Sequence, residues 1–277
     1  MKRILLVVCT GFFVFNLTAQ QLRTPAPSPG QTIKQDFGLS SIELSYSRPG
    51  IKGRKIFGDV RPYNVLWRTG ANGATTLTFG DDVTIGGTLV KAGKYGLLTI
   101  PDKENWVVII TKQLDVTSPD AYKKENDVVR LNVKPVALKE PVETFAMQFA
   151  NVKPNSCDLQ LAWENTLVSF PITTDVDTKV TAQINEVMNK DNRPYFNAAM
   201  YYLDNGKDLN QALAWFNKAL EQSPNAFFIV YQKASCLAKL GRKEEAKATA
   251  LQGIASAKAA KNDDYVALNE KLIASLK

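Results

Sequence analysis

The stretch YGLLTIPDKENWVVIIT (Tyr95–Thr111) decides the class of the first half of the chain. Two runs rich in β-branched and aromatic residues, Tyr95–Ile100 and Trp106–Thr111, flank the turn residues Pro101-Asp-Lys-Glu-Asn105. That composition suits a pair of strands around a turn. Towards the N-terminus, Leu89-Val90 follows Val83-Thr84-Ile85 and Gly86-Gly87, a hairpin signal, and both Thr75–Phe79 and Ile42–Tyr46 alternate with period two. Towards the C-terminus, strands are expected at Asp127–Val133, Glu143–Phe149, Cys157–Trp163 and Leu167–Ile172. Short strands separated by turn chemistry predict an all-β antiparallel sandwich or barrel-like domain over residues 31–173.

Near Thr173 the period changes. Val176, Val180, Ile184, Val187 and Met188 recur at helical spacing, and the chain reads as helix from there to Lys277. The expected helices are Val176–Lys190, Pro194–Asp204, Leu209–Gln222, Ala226–Leu240, Lys243–Ala260 and Asp264–Leu276. Ala212, Phe216, Ala219 and Pro224 stand where tetratricopeptide repeats place Ala, an aromatic, Ala and Pro. Advancing by the ~34-residue period of that repeat carries Ala212 to Ala246, Leu203 to Leu237 and Ala219 to Gly253. Residues 174–277 are therefore expected to form an all-α, tetratricopeptide-like domain that docks a protein partner, with Tyr195, Tyr201 and Tyr202 as candidate lining of its groove.

At the N-terminus, Met1-Lys2-Arg3 precedes the largely apolar run Ile4–Leu17 and the small pair Thr18-Ala19. This is the pattern of a cleavable export signal over residues 1–19, and the apolar run is shorter than the ~20 residues of a spanning helix. A Pro-rich linker, residues 20–30, follows. The mature protein is expected in the periplasm or secreted, with membrane contact peripheral at most. Loss of Lys2 and Arg3 lowers the formal net charge from +7 to +5, a moderate excess suited to anionic partners. An exported chain rarely meets nucleic acid, so that role is not expected. Cys157 and Cys236 fall in different halves and give no disulfide framework, so both read as buried small apolar residues.

The 277 residues include no histidine, which excludes His-based triads and zincin-type sites. No Gly-rich strand-to-helix fingerprint is present either, so neither cofactor nor metal is expected. Chemistry concentrates instead in RPGIKGRKIFGDVRPYNVLWRTGANG (Arg48–Gly73). It holds six basic residues, one acid (Asp59) and the rings of Phe57, Tyr63 and Trp67. Its Pro and Gly keep it out of helix and central strand.

Two readings of this stretch compete. In one it is a ligand site for an anionic or glycan envelope ligand: Lys52, Arg54, Lys55 and Arg61 supply charge, and Tyr63 and Trp67 supply stacking surfaces. In the other it is a structural clasp whose arginines cap loop carbonyls or pair with Asp59 and Glu43. Within it, Arg48 and Arg68 are expected to be structural, and Gly70 and Gly73 to take backbone angles closed to other residues. Glu43 and Asp59 are the carboxylates on which a metal-free, glycoside-type hydrolase, the alternative function, would rest. Asp81 and Asp82 read as turn caps.

The segments YSRPGIKGRKIFGDVRPYNVLWRTGANGATTLTF (Tyr46–Phe79), KAGKYGLLTIP (Lys91–Pro101) and LAWENTLVSFPI (Leu161–Ile172) resemble the bacterial envelope proteins grouped as domain of unknown function 2911. The resemblance covers residues 25–172. It implies a β-rich fold, an envelope location and a tetratricopeptide-like tail, but no reaction. The leading reading is a non-catalytic binding or scaffold protein of the envelope.

Overall fold

A computed structural model describes residues 24–190 and 193–276, and the expected export signal lies outside the described residues. The chain divides into two compact units, residues 1–175 and 176–277.

The first unit is built from ten strands: β1 (Gly30–Phe37), β2 (Ser40–Ser47), β3 (Thr76–Phe79), β4 (Val83–Ile85), β5 (Thr88–Val90), β6 (Gly93–Ile100), β7 (Trp106–Thr111), β8 (Asp127–Val133), β9 (Val136–Lys153) and β10 (Ser156–Thr173). They form a six-stranded sheet ordered β1-β2-β3-β6-β7-β8 and a four-stranded sheet ordered β5-β4-β10-β9, with every pairing antiparallel. Leu44, Leu77, Leu97 and Val108 from the first sheet share one buried cluster with Phe145, Leu161, Trp163 and Phe170 from the second. This is the core of a sandwich, filled by the inward residues of each alternating strand.

Two details depart from the expected strands. Gly30–Phe37, expected to be in part linker, pairs along its whole length with β2. The two runs expected at Cys157–Trp163 and Leu167–Ile172 are one strand, β10, whose pairing with β9 shifts register on either side of Glu164. Glu164 itself has φ of 51°, so the break is a bulge that bends one strand.

The inner strands β6 and β7 are buried on both faces. On the side away from the sandwich core, Leu98 and Ile109 pack with Val116 from the β7–β8 connection, joined by Leu66 and Tyr122. Burial on both faces explains why these strands read as continuous apolar runs rather than alternating ones.

The second unit comprises α1 (Val176–Val187), α2 (Tyr195–Asp204), α3 (Leu209–Gln222), α4 (Phe227–Lys239), α5 (Lys243–Ala259) and α6 (Asp263–Ser275). Asp208 caps α3 by accepting from the N–H groups of Asn210 and Gln211. Ala212, Phe216, Ala219, Leu237 and Ala246 are buried together between the paired helices. Gly253 lets α5 approach α6 closely, since a Cβ there would stand 2.6 Å from Asn269 Oδ1. No helix among the described residues is long and apolar enough to cross a membrane. Cys157 and Cys236 are both free and buried.

Candidate functional site

The Arg48–Gly73 stretch leaves β2 and returns at β3, and on the way it bonds to both sheets. The Phe145 N–H donates to Pro49 O at 2.9 Å, and the Ile51 N–H donates to Glu143 O at 2.8 Å, tying its start to β9. Further along, Trp67 and Thr99 exchange both backbone bonds, at 2.7 and 2.9 Å, so the loop extends the first sheet beside β6. Carboxylates from the second sheet complete the attachment. Glu143 Oε1 accepts from the Lys52 N–H at 2.9 Å, and the two oxygens of Glu164 accept from the Ile56 and Phe57 N–H groups at 3.3 Å. The bulge at Glu164 thus aims a carboxylate at loop amides. Tyr46 adds a further link: its hydroxyl accepts from the Met147 N–H at 2.7 Å and donates to Gln31 Oε1 at 2.8 Å.

The arginines of the stretch divide by what they bond. Arg48 Nε donates to Phe145 O at 3.0 Å, and Arg68 Nη1 donates to Asn72 O. Arg54, though exposed, donates from Nε to Ile51 O at 3.0 Å and from Nη2 to Gly50 O at 2.8 Å. All three therefore hold backbone carbonyls, Arg48 one on β9 and the other two within the loop. Arg61 does not. Its half-buried side chain makes no hydrogen bond or ion pair with any described residue, its Nε is buried without a partner, and its guanidinium carbon lies 5.7 Å from the centre of the Trp67 ring. Burial holds the Arg61 pKa below the usual arginine range, and the neighbouring charges of Arg68 and Arg54 push it the same way.

Trp67 is only 3% exposed, within reach of the rings of Phe57, Trp106, Phe145 and Trp163 at centroid distances of 5.0–6.4 Å. The expected stacking surface for a ligand is corrected here: this indole is core, and its Nε1–H donates to Gly70 O at 2.9 Å. Tyr63 is half-buried, packed over Gly58 and 5.9 Å from Lys103 Nζ. Lys52 and Lys55 are exposed, as is Asp59.

The left-handed positions also differ from expectation. Thr69 and Asn72 have φ of 55° and 58°, whereas Gly70 and Gly73 do not enter that region. Gly70 is required for space instead, because a Cβ there would lie 2.9 Å from Thr75 Oγ1 and 3.1 Å from Ser47 O. A buried β-branched residue in the left-handed region is strained. Thr69 is held there by the Thr75 hydroxyl, which donates to its carbonyl at 2.8 Å, and by a 3.0 Å bond between its own hydroxyl and that of Thr99.

Beside Arg61 and Arg68 opens a cavity of about 180 Å³, walled by Val65, Leu66, Trp67, Val116, Thr117, Ser118 and Pro119. Of these, the second half of the wall comes from the β7–β8 connection, some fifty residues downstream of the loop, a juxtaposition that no local motif signals. The carboxylates singled out from sequence are placed elsewhere. Glu43 is exposed on β2 opposite Lys34 and Thr78. Asp82 accepts from the Ala92 N–H and pairs with Lys91 at 2.9 Å, and Asp81 accepts from the Asp82 N–H. Among the described residues, no group of three or more Cys, Asp or Glu side chains is arranged to hold a metal ion.

In the helical unit the three tyrosines of α2 do not share one surface. Tyr195 and Tyr202 pack against the repeat core, Tyr202 with its ring 4.7 Å from that of Trp215. Tyr201 instead donates to Asp177 Oδ1 at 2.8 Å and lines an apolar groove of about 300 Å³ with Val180, Ile184 and Val187 of α1. A different aromatic row links the even-numbered helices: Phe196 of α2 meets Phe228 of α4 at 5.3 Å, Phe228 meets Phe227 at 5.8 Å, and Phe227 meets Tyr265 of α6 at 5.0 Å. Phe228 is 37% exposed.

Comparison with known proteins places both units. Residues 193–226 and 229–259 match the tetratricopeptide repeat, the pairs α2–α3 and α4–α5. Neither curated proteins nor solved structures gave a significant match. Residues 28–172, half of the chain, match the family described as "Protein of unknown function (DUF2911)", and the chain belongs to that family, with a tetratricopeptide-repeat tail.

Proposed function

We propose that this protein is an exported, non-catalytic scaffold of the cell envelope. Its helical unit docks a protein partner, and its β unit recognises an anionic envelope ligand through the basic loop. The observation that carries the reading is the repeat tail itself, with its partly exposed aromatic row from Phe196 through Phe228 to Tyr265. Tetratricopeptide repeats generally act as protein-interaction scaffolds, because stacked helix pairs present an extended surface. Aromatic side chains are the groups most enriched where such surfaces bind tightly. In the β unit, the excess of guanidinium groups over acids in the loop supports an anionic ligand.

The test is photocross-linking in the native cells from a residue introduced at Phe228, combined with cell fractionation. One cross-linked protein, recovered from the envelope and lost when Tyr265 and Tyr231, whose ring lies 5.7 Å from it, are replaced by Ser, is the expected outcome. Recovery of the protein from the cytoplasm alone, with Met1 retained, would overturn the envelope assignment.

A further inference from the structure

Every other arginine of the loop is accounted for by a carbonyl, so the solitary state of Arg61 calls for an explanation. A buried donor without a partner is costly, so a group that can accept from it gains more than it would at the surface. The surroundings say which ligand. No acid faces Arg61, and its nearest charges, Arg68 and Arg54, are of the same sign, so an incoming anion meets only attraction. Arg68 has spent one of its donors on Asn72 O and keeps the rest. The left-handed backbone at Thr69 follows directly on Trp67 and Arg68, which both line the cavity.

The size of the cavity, about 180 Å³, lies below the roughly 300–1,000 Å³ of sites that enclose a whole small molecule. It therefore takes the end of something larger. Its lining is mixed: Arg61 and Arg68, with Thr117 and Ser118, are polar, and Val65, Leu66, Val116 and Pro119 are apolar. A tetrahedral phosphate turns oxygens in every direction, and those not met by Arg61, Arg68, Thr117 or Ser118 would face the apolar residues. A carboxylate can pair both its oxygens with a guanidinium fork and leave only carbon against the valines and the proline.

We infer that this cleft binds a terminal carboxylate carried on a branched apolar carbon, with Arg61 as the primary partner and Arg68 as the second. The inference rests on the reading of the β unit as an anion binder, and it moves the site from the exposed Lys52–Lys55 turn to the Arg61 cleft.

Purified protein is titrated with 3-methylbutanoate, N-acetylvaline, 3-methylbutanamide and inorganic phosphate, followed by methyl NMR and calorimetry. Saturable binding of the carboxylates is expected, with shifts at the methyl groups of Val65, Leu66 and Val116, and none with the amide. Arg61→Met, which keeps most of the stem, should weaken binding at least about tenfold. If N-acetylvaline binds more tightly than 3-methylbutanoate, the natural source is a peptide C-terminus, and the reverse order points to a free short-chain acid. Phosphate binding as strong as that of the carboxylates would overturn the inference. So would undiminished binding by a folded Arg61→Met. Should that variant fail to fold, the wild-type methyl shifts still decide. Shifts confined to Ile51 and its neighbours would leave the β unit an anion binder while refuting this cleft. The measurement uses neither the tail partner nor the cellular location, so failure of those parts of the proposal leaves it intact.

Discussion

Arg48 and Arg54 are six residues apart and carry the same guanidinium, yet their removal should cost different amounts. Arg48 is half-buried and bonds across to β9 at Phe145 O, so truncation leaves a carbonyl between the sheets without its charged donor. Hydrogen bonds to charged groups contribute about 1.5–3 kcal/mol, and Arg48→Ala should lose stability in that range. Arg54 is exposed and bonds only to carbonyls of its own turn, which water can solvate in its place. Arg54→Ala should stay within about 1 kcal/mol of wild type, and denaturant melts of the two variants check the pair. Tyr122 supplies a pH signature. Burial first, and then the 2.5 Å bond from its hydroxyl to Asp127 Oδ2, push its pKa up to about 12. A phenol whose folded pKa is raised stays protonated in the folded protein while the unfolded chain ionises near pH ~10. Its stabilising effect is therefore complete below pH ~10 and lost as pH rises towards about 12. Tyr122→Phe should flatten the stability difference over that window, measured by melts at stepped alkaline pH against wild type. Because Tyr122 anchors the β7–β8 connection, the same variant reports on the segment that walls the Arg61 cleft.

Elements rich in periodicity were the ones that could be read without a structure. Alternation in Ile42–Tyr46 and the apolar runs of Tyr95–Ile100 and Trp106–Thr111 reflect one-sided and two-sided burial directly, and helices α1 to α6 start and stop within about three residues of their expected bounds. Reading failed where tertiary contacts overrule local pattern. Gln31 and Gln35 take inward positions and dilute the alternation of β1, which becomes a strand because β2 offers it a full ladder. The polar Glu164-Asn165-Thr166 looks like a turn, but the strand passes through it as a bulge because Glu164 has loop amides to accept. The cleft was half legible. Its arginines stand in one conspicuous stretch, but nothing local distinguishes Arg61 from Arg54, and Val116–Pro119 carries no signal at all. Among the helices, Phe216 is fully buried between α2, α3 and α4, with the Phe196 ring 6.3 Å away. Phe216→Ala should cost about 3–5 kcal/mol in thermal or denaturant unfolding, and a loss under about 1 kcal/mol would mean the ring is dispensable to the repeat.

At the scale of the whole molecule, the two units own separate cores and meet in sequence at Asp175–Val176. Each should fold when expressed alone. Residues 24–175 should give a β-type circular dichroism spectrum with a cooperative melt, and residues 176–277 a helical one. Aggregation of either fragment under conditions where the full protein stays in solution would show that the units depend on each other. Two tetratricopeptide repeats fall short of the usual minimum of about three. The helices α1 and α6 on either side then serve as the ends of the stack, and Asn269 of α6, fully buried against Gly253, shows how closely one end is sealed.

The loop that stitches the sheets also has a kinetic meaning. Its bonds to β9 join residues 97 and 91 positions apart, Arg48 to Phe145 and Lys52 to Glu143. Contacts of that span are the slowest to form, because chain entropy must be given up before they return anything. The stitch is expected to close after the rate-limiting step of folding. Weakening it should then leave the refolding limb of a chevron plot unchanged and steepen the escape from the native state. Arg48→Ala should unfold several-fold faster than wild type and refold at the same rate. The loop would thus set how long a folded molecule lasts rather than how quickly it is made.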